Sequence, residues 1–220
     1  MAEATAVRIV LIDDHAVVRA GYRRFLEQEP GYAVIGEAGS GAEAYALLQQ
    51  LTPDILILDL TMPGEGGLSA LRRFKLRWPL LPILVFSMHD HLAFAIQALR
   101  AGANGYVTKG SEPGQMVSAV RRVLAGEVAL SPDLAGSMAH RGAAAAAQAT
   151  LGLSVREFDI FRLIASGKSH EEIASLLCLS VKTVTNLHSL IRQKLAIGSD
   201  IELYQLAVEC GAVAARLPGR

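Results

Sequence analysis

Between residues 7 and 128 the chain alternates short aliphatic runs, many of them β-branched, with longer stretches whose apolar positions recur at helical spacing. The runs are Val7–Ile12, Tyr32–Ala38, Ile55–Leu58, Ile83–Phe86 and Gly105–Thr108. The stretches between them are His15–Glu29, Ala42–Leu51, Gly67–Trp78, His91–Ala101 and Gly114–Ala125. Leu92, Ile96 and Leu99 share one helix face, as do Met116, Val120 and Val123, which is the period of an amphipathic helix. Runs such as IVLI and ILIL are apolar at successive positions, so those strands are buried on both faces of their sheet. Five strands alternating with five helices predict a doubly wound α/β fold on a five-stranded parallel sheet of flavodoxin-like type.

The pattern changes at Ser131. The segment SPDLAGSMAHRGAAAAAQAT carries no large apolar period and reads as a linker over 131–148, part helical because alanine is the best helix former. A structural helix packed on a neighbour is the other reading of the alanine run. From residue 149 to 220 no strand pattern returns, and a second, smaller all-α domain of four helices is expected. Ser154 with Glu157, and Ser169 with Glu172, form two capping boxes, each opening an apolar-periodic stretch. Ser180 caps a third helix, Val181–Leu195, and a last one runs from about Ile201 to Glu209. In the third helix Val184, Leu187, Ile191 and Leu195 line one face, while Lys182, Thr185, Asn186, Ser189, Arg192 and Gln193 lie opposite. A polar helix face that follows a short helix and a tight turn at Cys178–Ser180 has the layout of a helix-turn-helix. The same spacing also fits a surface helix of any small bundle.

Composition narrows the classes. Lys and Arg total 21 against 21 Asp and Glu, and 51% of residues are hydrophobic, which excludes a disordered chain and a protein that coats nucleic acid by bulk charge. The two cysteines, Cys178 and Cys210, lack metal-ligand or disulfide-scaffold spacing. The N-terminal apolar run ends in two aspartates after about six residues, unlike a signal peptide. No window reaches the roughly 18 apolar residues of a membrane span, so a cytoplasmic protein with no membrane partner is expected.

The strand ends carry the candidate chemistry, because ligands of open parallel sheets bind outside the carboxyl ends of the strands. The first strand ends in Asp13 and Asp14, the third in Asp59, the fourth in Ser87 and the fifth in Lys109. Converging carboxylates repel unless a cation joins them. Mg²⁺ suits oxygen ligands and leaves places for phosphate oxygens. The set fits phosphoryl transfer onto a carboxylate: Asp59 as nucleophile, Mg²⁺ as counter-charge, Lys109 and Ser87 on the remaining oxygens. Any one of these residues alone would pass as an ordinary turn former or solvated side chain. Their conjunction at the ends of one sheet is what points to a site.

LIDDH at 11–15, DLTMPGEGG at 59–67, FSMHD at 86–90 and GANGYVTKG at 102–110 resemble the receiver domain of two-component response regulators. The resemblance implies a receiver over 1–130, with Asp59 as phospho-acceptor for a sensor histidine kinase. It implies Mg²⁺ held by Asp13 or Asp14, directly or through water, with Asp59 and the backbone carbonyl of Thr61. It also implies a loop fixed by Pro63 and a switch pair, Ser87 and Tyr106, in which the aromatic turns inward. A bland reading of Tyr106 is a strand aromatic at the surface. LSVREFDIFRLIASGKSHEEIASLLCLSVKTVTNLHSLIRQKL at 153–195 resembles the LuxR-type DNA-binding domain. Together the two parts look like a NarL/FixJ-family response regulator, most similar to its GacA/UvrY branch, which implies DNA binding, transcription regulation and a homodimer formed on phosphorylation. Thr185 and Leu187 stand where many family members carry Lys and His, which removes one potential DNA contact.

Lys168, Lys182, Thr183, Thr185, Asn186, Ser189, Arg192 and Lys194 are the expected DNA-binding residues. On the helical wheel, Thr185, Asn186 and Ser189 would face base edges, and Lys168, Lys182, Arg192 and Lys194 would hold phosphates. Residues 151–220 carry a basic excess of only one, so a single domain would bind weakly and pairing would multiply affinity. Two other outputs are alternatives. An aspartate-nucleophile phosphatase would need a second acid two residues after Asp59, where Thr61 stands. A receiver whose output is a protein contact is the other, and operator binding by residues 149–220 alone would separate it from a DNA-binding regulator. No phosphate-binding loop of Gly-rich type follows a strand, and the regulator is not expected to be an enzyme.

Overall fold

The structure, a computed structural model, describes residues 6–62, 65–139 and 151–213. Contacts divide the chain into two compact units, one made of 1–89 with 98–132 and the other of 133–220 with 90–97.

The sheet lies in the first unit. Its strands are β1 (Val7–Ile12), β2 (Tyr32–Ala38), β3 (Ile55–Leu58), β4 (Ile83–Ser87), β5 (Gly105–Thr108) and β6 (Ala129–Leu130). The intervening helices are α1 (Ala16–Glu27), α2 (Gly41–Leu48), α3 (Gly67–Arg77), α4 (Leu92–Arg100) and α5 (Pro113–Leu124). The strands are all parallel in the order β2-β1-β3-β4-β5-β6. Every residue of β3, β4 and β5 is buried, as the unbroken apolar runs required. Alternate strand residues Ile9, Leu11, Ile57, Leu84, Phe86 and Val107 form one core with Leu26 of α1 and with Met116, Val120 and Val123 of α5. Ile12, Leu56, Leu58, Ile83 and Val85 alternate with them and are equally buried. Both sheet faces are therefore covered.

The sheet has six strands, which corrects the expected five. Beyond α5, Gly126 at φ 84° turns the chain, and Ala129 and Leu130 pair with Gly105 and Tyr106. The Ala129 amide donates to the Asn104 carbonyl at 3.2 Å and the Ser131 amide to the Tyr106 carbonyl at 3.0 Å. A Cβ at residue 105 would stand 2.7 Å from the Ala129 carbonyl oxygen, so the added strand comes this close only because Gly105 has none. A two-residue strand is too short to show a period.

The segment read as a linker is helical at 132–139, with Leu134 buried. Its alanine run lies outside the described residues.

In the second unit the helices are α6 (Val155–Ala165), α7 (His170–Leu176), α8 (Val181–Leu195) and α9 (Asp200–Glu209). Both capping boxes form, at Ser154 with Glu157 and at Ser169 with Glu172. Phe158, Phe161, Ile173, Val184, Ile191 and Leu203 are fully buried. Cys178, at φ 52°, makes the turn after α7, and α7 and α8 meet at 109°, within the range of helix-turn-helix pairs. The buried stripe of α8 is Val184, His188 and Ile191. Leu187, expected on that stripe, is only half buried, because four residues from Val184 bring position 188 closer to the stripe's centre than three bring position 187. No single helix among the described residues is long and apolar enough to cross a membrane.

Candidate functional site

Strand register assembles the acidic site. Ile12 of β1 pairs with Leu58 of β3, so the next residues, Asp13 and Asp59, leave the sheet side by side. The Asp59 amide donates to the Ile12 carbonyl at 2.8 Å and the Asp13 amide to the Ala38 carbonyl at 3.0 Å. Ser87 pairs with Thr108, and the Lys109 amide donates to the Ser87 carbonyl at 2.8 Å. The strands β1 and β3 flank the point where the sheet order reverses, the ligand edge of such folds. Residues 46 positions apart in sequence, Asp13 and Asp59, are thus neighbours because their strands are.

Lys109 ties the cluster together. Its ammonium donates to Asp59 Oδ2 at 2.7 Å and to Asp13 Oδ2 at 2.5 Å. Burial works to lower the Lys109 pKa, but the hydrogen bonds and charges of Asp13 and Asp59 outweigh it and hold the ammonium above the ordinary lysine value. The other oxygen of Asp59, Oδ1, accepts from the Thr61 amide at 3.0 Å. Asp13, Asp14, His15 and Asp59 each offer a ligand atom within 4.8 Å of the others. His15 was not singled out in the sequence. Its Nδ1 lies 2.9 Å from Asp14 Oδ1, and its amide donates to Asp13 Oδ1 at 2.8 Å. A tightly spaced oxygen set beside a buried lysine is an electrostatic fit for a hard divalent cation and a phosphate oxygen.

Ser87 is fully buried, and its Oγ accepts from the His89 amide at 3.3 Å. Tyr106 is also fully buried, its hydroxyl donating to the His89 carbonyl at 2.7 Å. Its burial rules out the reading of Tyr106 as a surface aromatic. Pro63 lies outside the described residues.

The expected DNA-binding residues lie on α8, except Lys168, which precedes α7, and their surroundings differ. Lys182, Thr185, Asn186 and Ser189 are exposed. Thr183 belongs to the helix cap, its amide donating to Ser180 Oγ at 3.1 Å. Ser189 Oγ donates to the Thr185 carbonyl at 3.1 Å. Lys168 pairs with Glu172 at 2.9 Å, and Arg192 is half exposed. Lys194 is engaged within the fold, its ammonium 2.8 Å from each carboxylate oxygen of Glu157. Two histidines that sequence reasoning passed over, His170 and His188, meet beside Thr185.

A strand-end acidic cluster bridged by lysine, followed in the chain by a helix-turn-helix, defines a receiver joined to a DNA-binding domain. Residues 9–121 match the response regulator receiver domain, and residues 151–207 match the bacterial regulatory proteins of the luxR family. The chain belongs to the response regulators with a LuxR-type DNA-binding domain. It is 40% identical to the transcriptional activator protein ExaE of Pseudomonas putida, over 92% of this chain and 96% of that one. It is 36% identical to the response regulator GacA of Pseudomonas aeruginosa, over 94% of this chain and 98% of that one. Among solved structures it is similar to RcsB from Salmonella enterica serovar Typhimurium bound to promoter P1flhDC in the presence of the phosphomimetic BeF3-. That likeness has a TM-score of 0.75 at 28% identity and covers 92% of this chain and 98% of that one.

Proposed function

We propose that this chain is a phosphorylation-controlled transcription regulator in which Asp59 accepts a phosphoryl group from a sensor histidine kinase and the helical domain binds DNA, as a homodimer, in response. The observation that carries the reading is the Lys109 ammonium set between Asp13 and Asp59, which supports a role for that cation against a phosphoryl oxygen formed on Asp59. An Asp59 carboxylate oxygen attacks phosphorus, the bond from phosphorus to the donor imidazole nitrogen breaks, and the imidazole leaves with the electron pair. Lys109 holds one phosphoryl oxygen by charge, and Ser87 offers a neutral donor to another. Asp13, Asp14 and Asp59, with the Thr61 carbonyl, would hold Mg²⁺, which supplies positive charge against the phosphoryl oxygens.

RcsB, bound to a promoter in the presence of a phosphomimetic, supports the same coupling here. The basic excess of one in 151–220 supports a paired binding mode, since two linked domains gain effective concentration that one lacks. The expected place of action is the cytoplasm.

Incubation with acetyl phosphate and Mg²⁺ tests the acceptor. Wild-type protein should be labelled, Asp59→Asn should not, and a chelator should abolish labelling. Undiminished labelling of Asp59→Asn would sink the assignment, and labelling that survives chelation would remove the metal.

A further inference from the structure

A chain of polar contacts runs through the helix-turn-helix and uses neither the acidic site nor the basic residues of α8. His188 is 8% exposed and sits in the buried stripe of α8. Its Nδ1 lies 3.0 Å from Nε2 of His170, the first residue of α7, with the two rings edge to face. His170 Nδ1 lies 3.2 Å from Thr185 Oγ1, back on the exposed face of α8. On the other side, His188 Nε2 is 3.0 Å from Asp200 Oδ1 at the start of α9, at ion-pair distance but without hydrogen-bond alignment. Three helices are therefore linked through one buried imidazole.

The partners decide the tautomers. Beside the Asp200 carboxylate, His188 keeps its proton on Nε2, which leaves Nδ1 as an acceptor. His170 then carries its proton on Nε2 and donates to His188, and its Nδ1 lies 3.2 Å from the Thr185 hydroxyl, whose single proton is directed to the Val181 carbonyl at 3.1 Å. In this arrangement the His170–His188 hydrogen bond is made, while His188 Nε2 stays close to Asp200 without an aligned hydrogen bond. A further proton on His188 Nδ1 would face the His170 N–H, donor against donor, and two charged rings at this distance repel.

We propose that His170 and His188 are positioning residues for DNA reading: the pair holds α8 against α7 and steadies Thr185, and a proton taken up by His188 releases that hold, so that affinity for DNA falls on acidification. The inference rests on the DNA-binding reading and adds a control of that same helix. Burial pushes His188 below the ordinary histidine value by more than Asp200 raises it, and the charges of His170 and Arg192 act in the same direction as burial. A folded state that takes the proton less readily than the unfolded chain is fully stable above the unfolded pKa and loses stability as pH drops below it. The groups around His188 on each packed element are His170 on α7, Asp200 on α9 and Arg192 on α8 itself. The charged residues of α6 are Arg156, Glu157, Asp159 and Arg162, of which Glu157 is held by Lys194. A competing effect has the opposite sign: a histidine charged against phosphate would raise affinity and steepen its salt dependence. The burial of His188 favours the first.

The test uses the full-length protein and a duplex recovered by wild-type protein from random sequence, with affinity read by fluorescence anisotropy at constant salt from about pH 7.5 to about pH 5.5. Wild type should lose affinity several-fold, less than the roughly tenfold of one proton's linkage over a full pH unit, because His188 takes its proton below the ordinary histidine value. His170→Gln, whose amide keeps a donor near the place of Nε2 and cannot be charged in this range, should hold the affinity seen near neutral pH and lose much less on acidification. His170→Ala should bind weakly throughout. A His170→Gln profile parallel to wild type, or a wild-type affinity that stays flat or rises on acidification, would overturn the proposal. If no duplex is retained at any pH, it is the DNA-binding reading that fails, and thermal unfolding then judges the histidine link. Wild type should lose more Tm on acidification than His170→Gln, and equal losses would refute the link.

Discussion

Lysines on one helix need not do one job. The Lys194 ammonium is fixed on Glu157, whose side chain is 6% exposed. Burial tends to raise the Glu157 carboxyl, but Lys194 and the hydrogen bonds from Ser154 outweigh it and hold the carboxyl below its ordinary range. That contribution to stability is present above the unfolded carboxyl value and is lost as pH falls through the folded one. Lys182 is exposed and makes no ion pair among the described residues. Lys194→Met should therefore lower the Tm, at a cost of about 1 to 2 kcal/mol, and leave the salt slope of DNA binding nearly unchanged. Lys182→Ala should leave Tm in place and reduce that slope by about 1. Melting curves and salt titrations separate the two, and a slope that falls equally in both variants would return Lys194 to the phosphate contacts. At this scale the capping serines were legible, because a cap is a matter of three residues' spacing. The histidine pair was not, since its partners are 18 residues apart and only packing brings them together.

Among the elements, α3 and α8 show how local sequence is turned to use. A Cβ at residue 67 would lie 2.3 Å from Leu60 Cα, so Gly67 lets α3 begin directly against the chain leaving Asp59. In α8 the exposed Thr185, Asn186 and Ser189 lie opposite buried Val184 and Ile191, as the wheel predicted. Asn can bond adenine through N6 and N7, and a threonine methyl packs on the thymine methyl. Binding-site selection with Asn186→Ala should return a consensus relaxed at one base pair per half-site, a discrimination of about 1 to 3 kcal/mol. If Asn186→Ala and Thr185→Ala both return the wild-type consensus at uniformly lower affinity, the preference comes from DNA shape and half-site spacing instead. The helices and the long strands were readable from periodicity. The two-residue β6 was not, because it exists only where an edge of β5 offers hydrogen-bond partners.

For the whole molecule, phosphorylation is expected to act through association. A phosphoryl group adds about −1.5 to −2 charges beside Lys109 and Ser87, and a full swing between two states needs about 5.5 kcal/mol of differential stabilisation. Sedimentation with and without beryllofluoride should give a higher association constant in its presence. Equal constants together with unchanged DNA affinity would defeat the switch. The sequence by itself determined the two-part plan, the strand-end residues Asp13, Asp14, Asp59, Ser87 and Lys109, and the polar face of α8, because these follow from hydrophobic period, capping and the places where apolar runs stop. Only the tertiary structure decided that β1 stands beside β3, which makes Asp13 and Asp59 neighbours under one lysine. It also decided that Tyr106 is buried, that Lys194 is used within the fold, and that His188 rather than Leu187 fills the stripe. Period and capping are local properties of the chain. Strand order, burial and the pairing of distant donors with acceptors depend on which surfaces meet, and that is settled by packing.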